Sequence, residues 1–131
     1  MNKEIRKERI EAEIDRAKEA LTAAKNLFED GLFADSISRA YYAIFHAARA
    51  VLLTKEIDTD THSGAISMFG LHFVKTSLIE ERFGRIFNEA KDARELGDYI
   101  VTKEFTKEET DKRVKQAIEF LQRVEGYLKA F

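Results

Sequence analysis

Five polar side chains recur at steps of three and four residues along an otherwise apolar segment that includes SRAYYAIFHAARAVLL, residues 38–53. Since an α-helix has 3.6 residues per turn, side chains at this spacing project from one side of it. We call this row the polar stripe, and its members are Asp35, Arg39, Tyr42, His46 and Arg49. The stripe is therefore the first candidate for a functional site.

The pair Arg39 and His46 suits a ligand that carries phosphate. The two residues are seven positions apart, so they are separated by about 10 Å along a helix that rises ~1.5 Å per residue. An arginine guanidinium offers a planar fork of donors to phosphate oxygens, and a histidine can gain or lose a proton near neutral pH. The spacing indicates a small polar pocket, or a groove lining a dimer interface, for a phosphate-bearing ligand.

The same spacing also fits a purely structural interpretation. Asp35 and Arg39 could form an exposed ion pair, which stabilises a helix by about 0.2–0.5 kcal/mol. His46 could lie at a seam between packed helices, and Tyr42 could be half-buried with its hydroxyl in water. Spacing alone leaves both interpretations open.

Apolar residues at helical spacing predict the two helices that position the stripe. The first helix is predicted over residues 3–29, with Gly31 at its C-terminal cap. The second is predicted over residues 33–55 and contains the polar stripe. The apolar stripe of the first helix is Ile10, Ile14, Ala17, Leu21, Ala24 and Phe28. The core candidates of the second are Ile37, Tyr41, Ile44, Phe45, Ala48 and Leu52.

Capping residues mark the three later helices. Thr59, Asp60 or Thr61 could cap a short third helix. The pairs Ser77–Glu80 and Thr106–Glu109 match the capping box that opens a helix, here the fourth and the fifth. The apolar residues assigned to these helices are Ile66, Phe69 and Phe73, then Ile79, Phe83, Ile86, Ala90, Ala93, Gly97 and Ile100, then Val114, Ala117, Leu121, Val124, Leu128 and Phe131.

The overall pattern predicts one all-α domain spanning residues 1–131. Proline is absent and no strand-like alternation competes with the helical spacing. No thirty-four-residue period recurs, which argues against a helical repeat protein. We expect a bundle of four to five helices with short connections.

Composition restricts the class of protein. The 131 residues include 22 Lys and Arg against 24 Asp and Glu, a formal net charge of −2, so the basic excess typical of a non-specific nucleic-acid binder is missing. The chain has no cysteine, which excludes disulfides and thiolate zinc sites. Its charged start lacks the apolar core of a signal peptide, and no stretch is apolar enough for a membrane span. These features favour the cytoplasm.

Three blocks, SRAYYAIFHAARAVLL, THSGAISMFGLHFVK and KDARELGDYIV, together resemble the HEPN superfamily. The similarity is closest to short stand-alone prokaryotic members with an AYYA-x-FHAA helix, and it extends from about residue 10 to 128. The resemblance implies an up-and-down bundle, commonly a homodimer. It also implies a partner: such proteins are often encoded beside a minimal nucleotidyltransferase, as a two-component system of toxin–antitoxin type.

The resemblance also implies a possible enzymatic activity. Many HEPN proteins are metal-independent ribonucleases with an arginine, four to six residues, and then a histidine, which Arg39 and His46 match. The histidine could take the proton of an RNA 2′-hydroxyl while the arginine stabilises charge at phosphorus, and Tyr42 could stack on a base. The chain departs from the nuclease branches at Ala40, where a polar residue is typical, and by placing the motif on its second helix. Binding or packing therefore stay open as roles for the pair.

Two further histidines stand outside the stripe. His62 lies where a loop meets the third helix, and it could be a capping or solvent residue. The resemblance implies that it lines the same pocket as His46. His72 lies between two apolar residues without a ligand-like partner in the sequence, which predicts a surface or packing role.

A second group of candidates lies on the fourth helix. Arg94 and Asp98 are four residues apart, the spacing of an ion pair within a helix. The resemblance implies that they and Tyr99 could support the polar stripe from behind and position Arg39 or His46.

The sequence favours no cofactor and no metal. It lacks the Glu-x-x-His pairs of di-iron bundles, a glycine-rich phosphate loop and a zinc-ligand spacing. Three hypotheses follow. The protein is a binding module that engages a nucleotide, RNA or a nucleotidyltransferase through the polar stripe. Alternatively, it is a metal-independent endoribonuclease toxin that uses Arg39 and His46. The third hypothesis is a helical adaptor in which the stripe forms a dimer seam.

Overall fold

Helices account for nearly the whole chain, as predicted. The computed structural model describes residues 1–131 and contains α1 (Lys3–Glu29), α2 (Phe33–Leu53), α3 (His62–Phe69), α4 (Glu81–Tyr99) and α5 (Lys107–Ala130). A single π-helical turn, Gly70–Val74, continues directly from α3. No strand is present, so the predicted all-α bundle is confirmed.

The connection between α1 and α2 is a tight helical reversal. Gly31 has a φ of +75°, and the amide of Gly31 donates to the carbonyl of Phe28 while that of Leu32 donates to Leu27. This pair of hydrogen bonds is the Schellman motif, which requires a left-handed residue that glycine adopts without strain. The reversal places α2 antiparallel against α1, the most extensive helix contact in the molecule.

The centre of the bundle is α2, which contacts every other α-helix. Most of its alanines, including Ala40, Ala43 and Ala47, are fully or almost fully buried and let the neighbouring helices approach closely. A buried hydroxyl joins α1 to α2, because Ser36 Oγ donates to the carbonyl of Ala24 at 2.7 Å. The predicted core residues of α2 are all buried, as the apolar spacing indicated.

An aromatic cluster fills the space between α2, α4 and α5. Phe120 of α5 lies with ring centroids 5.3 Å from Phe69 and 5.9 Å from Phe87. Phe87 in turn lies 6.3 Å from Tyr41 of α2. These rings fix the depth at which α2 sits in the bundle and so determine which of its side chains reach the surface.

Two of the predicted caps are confirmed. Thr61 Oγ1 accepts from the amide of Gly64 at 3.0 Å and starts α3. Thr106 and Glu109 form the complete capping box at the start of α5. Both caps satisfy amides that have no partner inside the helix.

The predicted Ser77–Glu80 capping box is wrong. Ser77 lies at a φ of +62°, outside the helix, and α4 begins at Glu81 without a side-chain cap. The carboxylate of Glu80 instead accepts from Arg123 Nε of α5 at 2.6 Å. A long-range ion pair has therefore replaced the local cap.

Several predicted helix ends extend too far. The second helix ends at Leu53 and is followed by a turn in which Glu56 has a φ of +59°. Ile100 and Phe131 lie beyond their helices and are 47% and 61% exposed, so neither belongs to a buried stripe. Phe73 is buried, but it lies on the π-helical turn and not on α3.

Candidate functional site

A groove of about 410 Å³ lies on the surface between α1 and α2. Its floor includes the small side chains of Ala20 and Ala23, and its walls carry charged and aromatic groups from both helices. We call it the α1–α2 groove, and its lining residues are Arg16, Glu19, Ala20, Ala23, Arg39, Tyr42 and His46. Three of the five members of the polar stripe therefore meet in one concave surface.

His46 is held by a carboxylate from the facing helix. Its Nδ1 lies 3.0 Å from Oε2 of Glu13, and both side chains are largely buried, at 22% and 16% exposure. Because an ionised carboxylate can only accept a hydrogen bond, Nδ1 carries the proton in this pair. Nε2 has no hydrogen-bond partner in the protein and remains accessible to solvent. The ring is therefore oriented with one nitrogen occupied and one free.

The other oxygen of Glu13 faces Arg49, the last member of the polar stripe. Arg49 Nη1 lies 3.7 Å from Glu13 Oε1, and its Nη2 lies 3.6 Å from Oδ1 of Asp58. Asp58 Oδ2 also accepts a hydrogen bond of 2.8 Å from Arg9 Nη2 of α1. Alternating charges thus run from α1 through the loop after α2 and back to His46. We call this row, Arg9–Asp58–Arg49–Glu13–His46, the charge row.

Arg39 is exposed and has no ion-pair partner. Its guanidinium carbon lies 5.1 Å from the ring centroid of Tyr42, a cation–π contact that leaves the guanidinium hydrogens available. The expected Asp35–Arg39 ion pair does not form. Asp35 lies in the first turn of α2, where a negative charge suits the helix dipole, and it does not line the groove.

His62 occupies a different environment from that of His46. Its Nδ1 lies 2.6 Å from the hydroxyl of Tyr41, and its ring centroid lies 4.6 Å from that of Phe45. Burial raises the pKa of the Tyr41 phenol far above its usual value, so the hydroxyl stays protonated. Tyr41 is fully buried and its hydroxyl has no other hydrogen-bond partner, so its O–H donates to His62 Nδ1. Burial first, and then the positive charge of Arg94, lowers the pKa of His62. His62 does not line the α1–α2 groove.

Arg94 of α4 contacts the polar stripe only at Tyr42. Its guanidinium carbon lies 5.4 Å from the ring centroid of Tyr41 and 5.3 Å from that of Tyr42. The predicted ion pair with Asp98 is present at 3.3 Å, but the geometry makes no hydrogen bond and leaves Arg94 Nε without one. Tyr99 is 81% exposed, so it does not support the stripe as the resemblance implied.

His72 lies on the π-helical turn, where only its backbone enters a polar contact. The carbonyl of His72 accepts from Lys55 Nζ and from Thr76 Oγ1, both at 2.8 Å. The predicted surface or packing role agrees with this position.

A larger groove of about 680 Å³ lies elsewhere, between the start of α1 and the end of α5. Ile10, Ile14, Leu128 and Phe131 form its apolar floor, and its rim carries charges of both signs. It contains no histidine or tyrosine, and its basic side chains are interspersed with acidic ones, Glu4, Glu11 and Asp15. The smaller α1–α2 groove is therefore the candidate site.

The sequence interpretation missed three charged residues at this site: Arg16 and Glu19, which line the groove, and Glu13, which holds His46. All three lie on α1, among many charged residues that look alike in the sequence. Glu13 follows Ile10 by three positions and precedes Ala17 by four, so it lies on the flank of the buried stripe, where a carboxylate needs a partner. This position in the sequence could have identified Glu13 as a residue with a partner on a neighbouring helix.

The site offers donors and one free imidazole nitrogen. Arg16 and Arg39 provide positive charge on the two walls of the groove, and His46 Nε2 can accept a proton between them. The structure brings no group of three histidine or acidic side chains together as metal ligands. None of the helices has the length and apolarity needed to cross a bilayer.

Comparison with known proteins identifies relatives over nearly the whole chain. Residues 10–127 match the family model described as HEPN domain. The chain is 46% identical over 129 residues to "Putative toxin MJ0605" of Methanocaldococcus jannaschii, covering 98% of this chain and 95% of the relative. It is 35% identical over 122 residues to "Putative toxin MJ0142" of the same organism, covering 93% and 83%. It is also 44% identical over 95 residues to "UPF0332 protein PH1297" of Pyrococcus horikoshii, covering 72% and 67%. The helical bundle and these matches agree with the resemblance in the sequence: the chain belongs to the HEPN domain family.

Proposed function

We propose that this HEPN protein is the toxin-type member of a two-component system and binds single-stranded RNA in the α1–α2 groove. The observation that carries the proposal is the convergence of Arg16, Arg39, Tyr42 and His46 on one concave surface. The names of two relatives, "Putative toxin MJ0605" and "Putative toxin MJ0142", support a toxin-like role.

The chemistry of the groove favours the phosphate of RNA over a cationic or apolar ligand. Arg39 is unpaired, so a phosphate can reach it without first displacing a carboxylate. A phosphate bound by arginine makes charge-assisted hydrogen bonds, which are about twice as strong as neutral ones. Tyr42 presents an aromatic ring beside that arginine, and a base of a single strand can stack on such a ring. Double-stranded RNA hides its bases and is disfavoured for this reason.

Titration of a short fluorescent single-stranded RNA of mixed sequence tests the proposal. We expect the Arg39→Ala/His46→Ala double variant to bind at least about tenfold more weakly, because each side chain makes a contact to a charged group. The salt dependence of binding should also become shallower, since fewer phosphates are neutralised. Arg85→Ala is the matched control, because Arg85 is an exposed arginine of α4 that pairs only with Glu81.

Equal binding by the wild type and the double variant would contradict the proposal. A nucleoside triphosphate and a purified minimal nucleotidyltransferase serve as competing probes in the same titration. Binding of either probe without RNA binding would assign the groove to that ligand instead.

A second candidate function is metal-independent RNA cleavage, and the Glu13–His46 hydrogen bond favours it. With Nδ1 protonated and held, Nε2 of the neutral ring can accept the proton of a 2′-hydroxyl. The 2′-oxygen then attacks phosphorus, the 5′-oxygen leaves and takes a proton from water, and a 2′,3′-cyclic phosphate forms. Arg39 stabilises the negative charge that grows on the phosphate oxygens.

Cleavage assays in EDTA distinguish the enzyme from the binding module. The enzyme hypothesis predicts cleavage that persists in EDTA and disappears in His46→Ala, with a cyclic phosphate at the new 3′ end. RNA that is bound by folded wild-type protein but remains intact at high protein concentration would reject catalysis and leave binding in place.

The proposal includes a cytoplasmic location and assembly as a homodimer with a nucleotidyltransferase partner. Light scattering on the purified chain measures its mass against the 15.1 kDa of one copy. If the polar stripe is instead a dimer seam, as in an adaptor, Arg39→Glu should convert a dimer to a monomer. A dimer that is lost in Arg39→Glu, together with no RNA binding by the wild type, would favour the adaptor, which has no ligand.

A further inference from the structure

Glu13 stands out because each of its two oxygens contacts a different residue of the polar stripe. Oε2 lies 3.0 Å from His46 Nδ1 and Oε1 lies 3.7 Å from Arg49 Nη1. His46 and Arg49 are one helical turn apart on α2, so a single carboxylate from α1 spans both. The side chain of Glu13 is only 16% exposed, and a carboxylate in this position is stable only because it is paired.

We infer that Glu13 is a positioning residue for His46. It holds the neutral imidazole in the tautomer that carries the proton on Nδ1, and so keeps Nε2 as the free acceptor at the groove. The inference rests on the proposed function for its consequence in RNA binding, but not for the tautomer itself. Glu13 contacts no group at which RNA would react, so it is not a catalytic residue.

Arg49 places a positive charge beside the same carboxylate, with its Nη1 3.7 Å from Glu13 Oε1. Arg49 is in turn held between Glu13 and Asp58, and Asp58 is held by Arg9. The charge row therefore links the orientation of His46, with Nε2 free as an acceptor, to the loop after α2, which supplies Asp58.

The alternative is that the Glu13–His46 contact only fastens α1 to α2. Such a role would lower stability on mutation without changing which nitrogen of His46 carries the proton. His62 provides an internal reference, because Tyr41 donates to its Nδ1 and so places its proton on Nε2. The two histidines should therefore show opposite tautomers in the same spectrum.

Long-range proton–nitrogen correlation spectra of the full chain labelled at histidine test the inference. At pH 8, where neutral histidine side chains dominate, we expect wild-type His46 to show the Nδ1–H pattern. In Glu13→Gln an uncharged amide replaces the carboxylate, so its oxygen is a weaker acceptor for Nδ1–H and its NH2 group can donate to Nδ1 instead. His46 should therefore move toward the Nε2–H pattern, while His62 stays unchanged. Glu8→Gln is the matched control, since Glu8 is an exposed glutamate of α1 with no ion pair.

Wild-type His46 in the Nε2–H form, or the same tautomer in the wild type and in Glu13→Gln, would overturn the inference. If Glu13→Gln does not fold, Glu13→Asp keeps the charge and withdraws the carboxylate by one methylene group. The same change of tautomer is then expected, and its absence is again a refutation.

RNA binding by the same variants separates this inference from the proposed function. If both are correct, Glu13→Gln changes the tautomer and weakens RNA binding about fivefold or more, while Glu8→Gln changes neither. If the tautomer changes but Arg39→Ala/His46→Ala binds RNA like the wild type, Glu13 positions His46 and the RNA proposal fails. Weakened binding with an unchanged tautomer would assign Glu13 a structural role only.

Discussion

His46 and His62 both contact the same buried ring, Phe45, yet they lie in different environments. Their ring centroids lie 5.3 Å and 4.6 Å from that of Phe45. His46 bonds to a carboxylate from α1 and lines a groove, whereas His62 bonds to a buried phenol and lies beside Arg94. The partner on Nδ1 is an acceptor in the first case and a donor in the second.

This difference shows that the group bonded to Nδ1 decides which role a histidine can take. A carboxylate favours a protonated Nδ1 and leaves Nε2 free for a ligand, whereas the phenol uses the lone pair of Nδ1. Burial and Arg94 lower the pKa of His62, so it stays neutral where an ordinary histidine begins to charge. We therefore expect changes near His62 to affect stability and changes near His46 to affect RNA binding.

The largest expected effect is on the His62 side. Tyr41→Ala removes a fully buried ring that contacts Tyr42, Phe45, His62 and Phe87. Truncating a large buried aromatic side chain to alanine typically costs about 3–5 kcal/mol. Urea unfolding followed by circular dichroism measures the loss, with exposed Tyr99→Ala as the control. A loss below about 1 kcal/mol would show that the ring does not hold His62 in the core.

Substituting each histidine in turn by glutamine tests the comparison directly. His46→Gln should weaken RNA binding about tenfold, which corresponds to about 1.4 kcal/mol, with little change in the urea midpoint. His62→Gln should lower the urea midpoint and leave RNA affinity within about twofold. The opposite result, with RNA binding dependent on His62, would place the RNA next to His62 and not in the α1–α2 groove.

Tyr41→Phe isolates the hydrogen bond from the packing. The ring remains, but His62 Nδ1 loses its donor, and a hydrogen bond of this kind contributes about 0.5–1.5 kcal/mol. The urea midpoint should fall accordingly, and the Nε2–H tautomer of His62 should become less dominant in nitrogen spectra. An unchanged midpoint together with an unchanged tautomer would show that the hydrogen bond from the Tyr41 hydroxyl neither stabilises the fold nor fixes the tautomer of His62.

The smallest expected effect is a pH dependence of stability. Because the pKa of His62 is lower in the folded protein than its ordinary 6.5, the unfolded chain binds more protons as the solution is acidified. Folding stability is therefore full above about pH 6.5 and falls as the pH drops toward the folded pKa. Unfolding curves from pH 8 to pH 5 should show a shallower decline in His62→Gln than in the wild type.

That pH window separates His62 from Glu80, the carboxyl group whose pKa is also shifted. The Arg123 hydrogen bond lowers the pKa of Glu80 from 4.5, so its contribution is lost only at more acidic pH. An equal decline between pH 8 and pH 5 in the wild type and His62→Gln would show that another group is responsible.

Helix positions followed from sequence wherever apolar spacing met a local cap. The stripe of α1 with Gly31 behind it, and Thr106 with Glu109 before α5, depend on residues a few positions apart. The α4 cap failed because Glu80 pairs with Arg123, which is 43 positions away. The π-helical turn after α3 was not predicted: the amide of Lys75 donates to the carbonyl of Gly70, five positions back, and Phe73 within the turn is buried.

The candidate site could be predicted only in part for the same reason. Arg39, Tyr42 and His46 share one helix, and their spacing is enough to place them together. Glu13 is separated from His46 by 33 positions, and the register between α1 and α2 decides which glutamate meets it. The chain has several glutamates on α1, and only the packed helices distinguish them.

The hairpin of α1 and α2 has a consequence for how the protein is made. Every member of the charge row, from Arg9 to Asp58, lies in the first 58 residues and is synthesised before α3, α4 and α5. Contacts between neighbouring helices form faster than those between distant segments. The α1–α2 groove can therefore form on the ribosome before the helices that cover the opposite face of α2 have been synthesised.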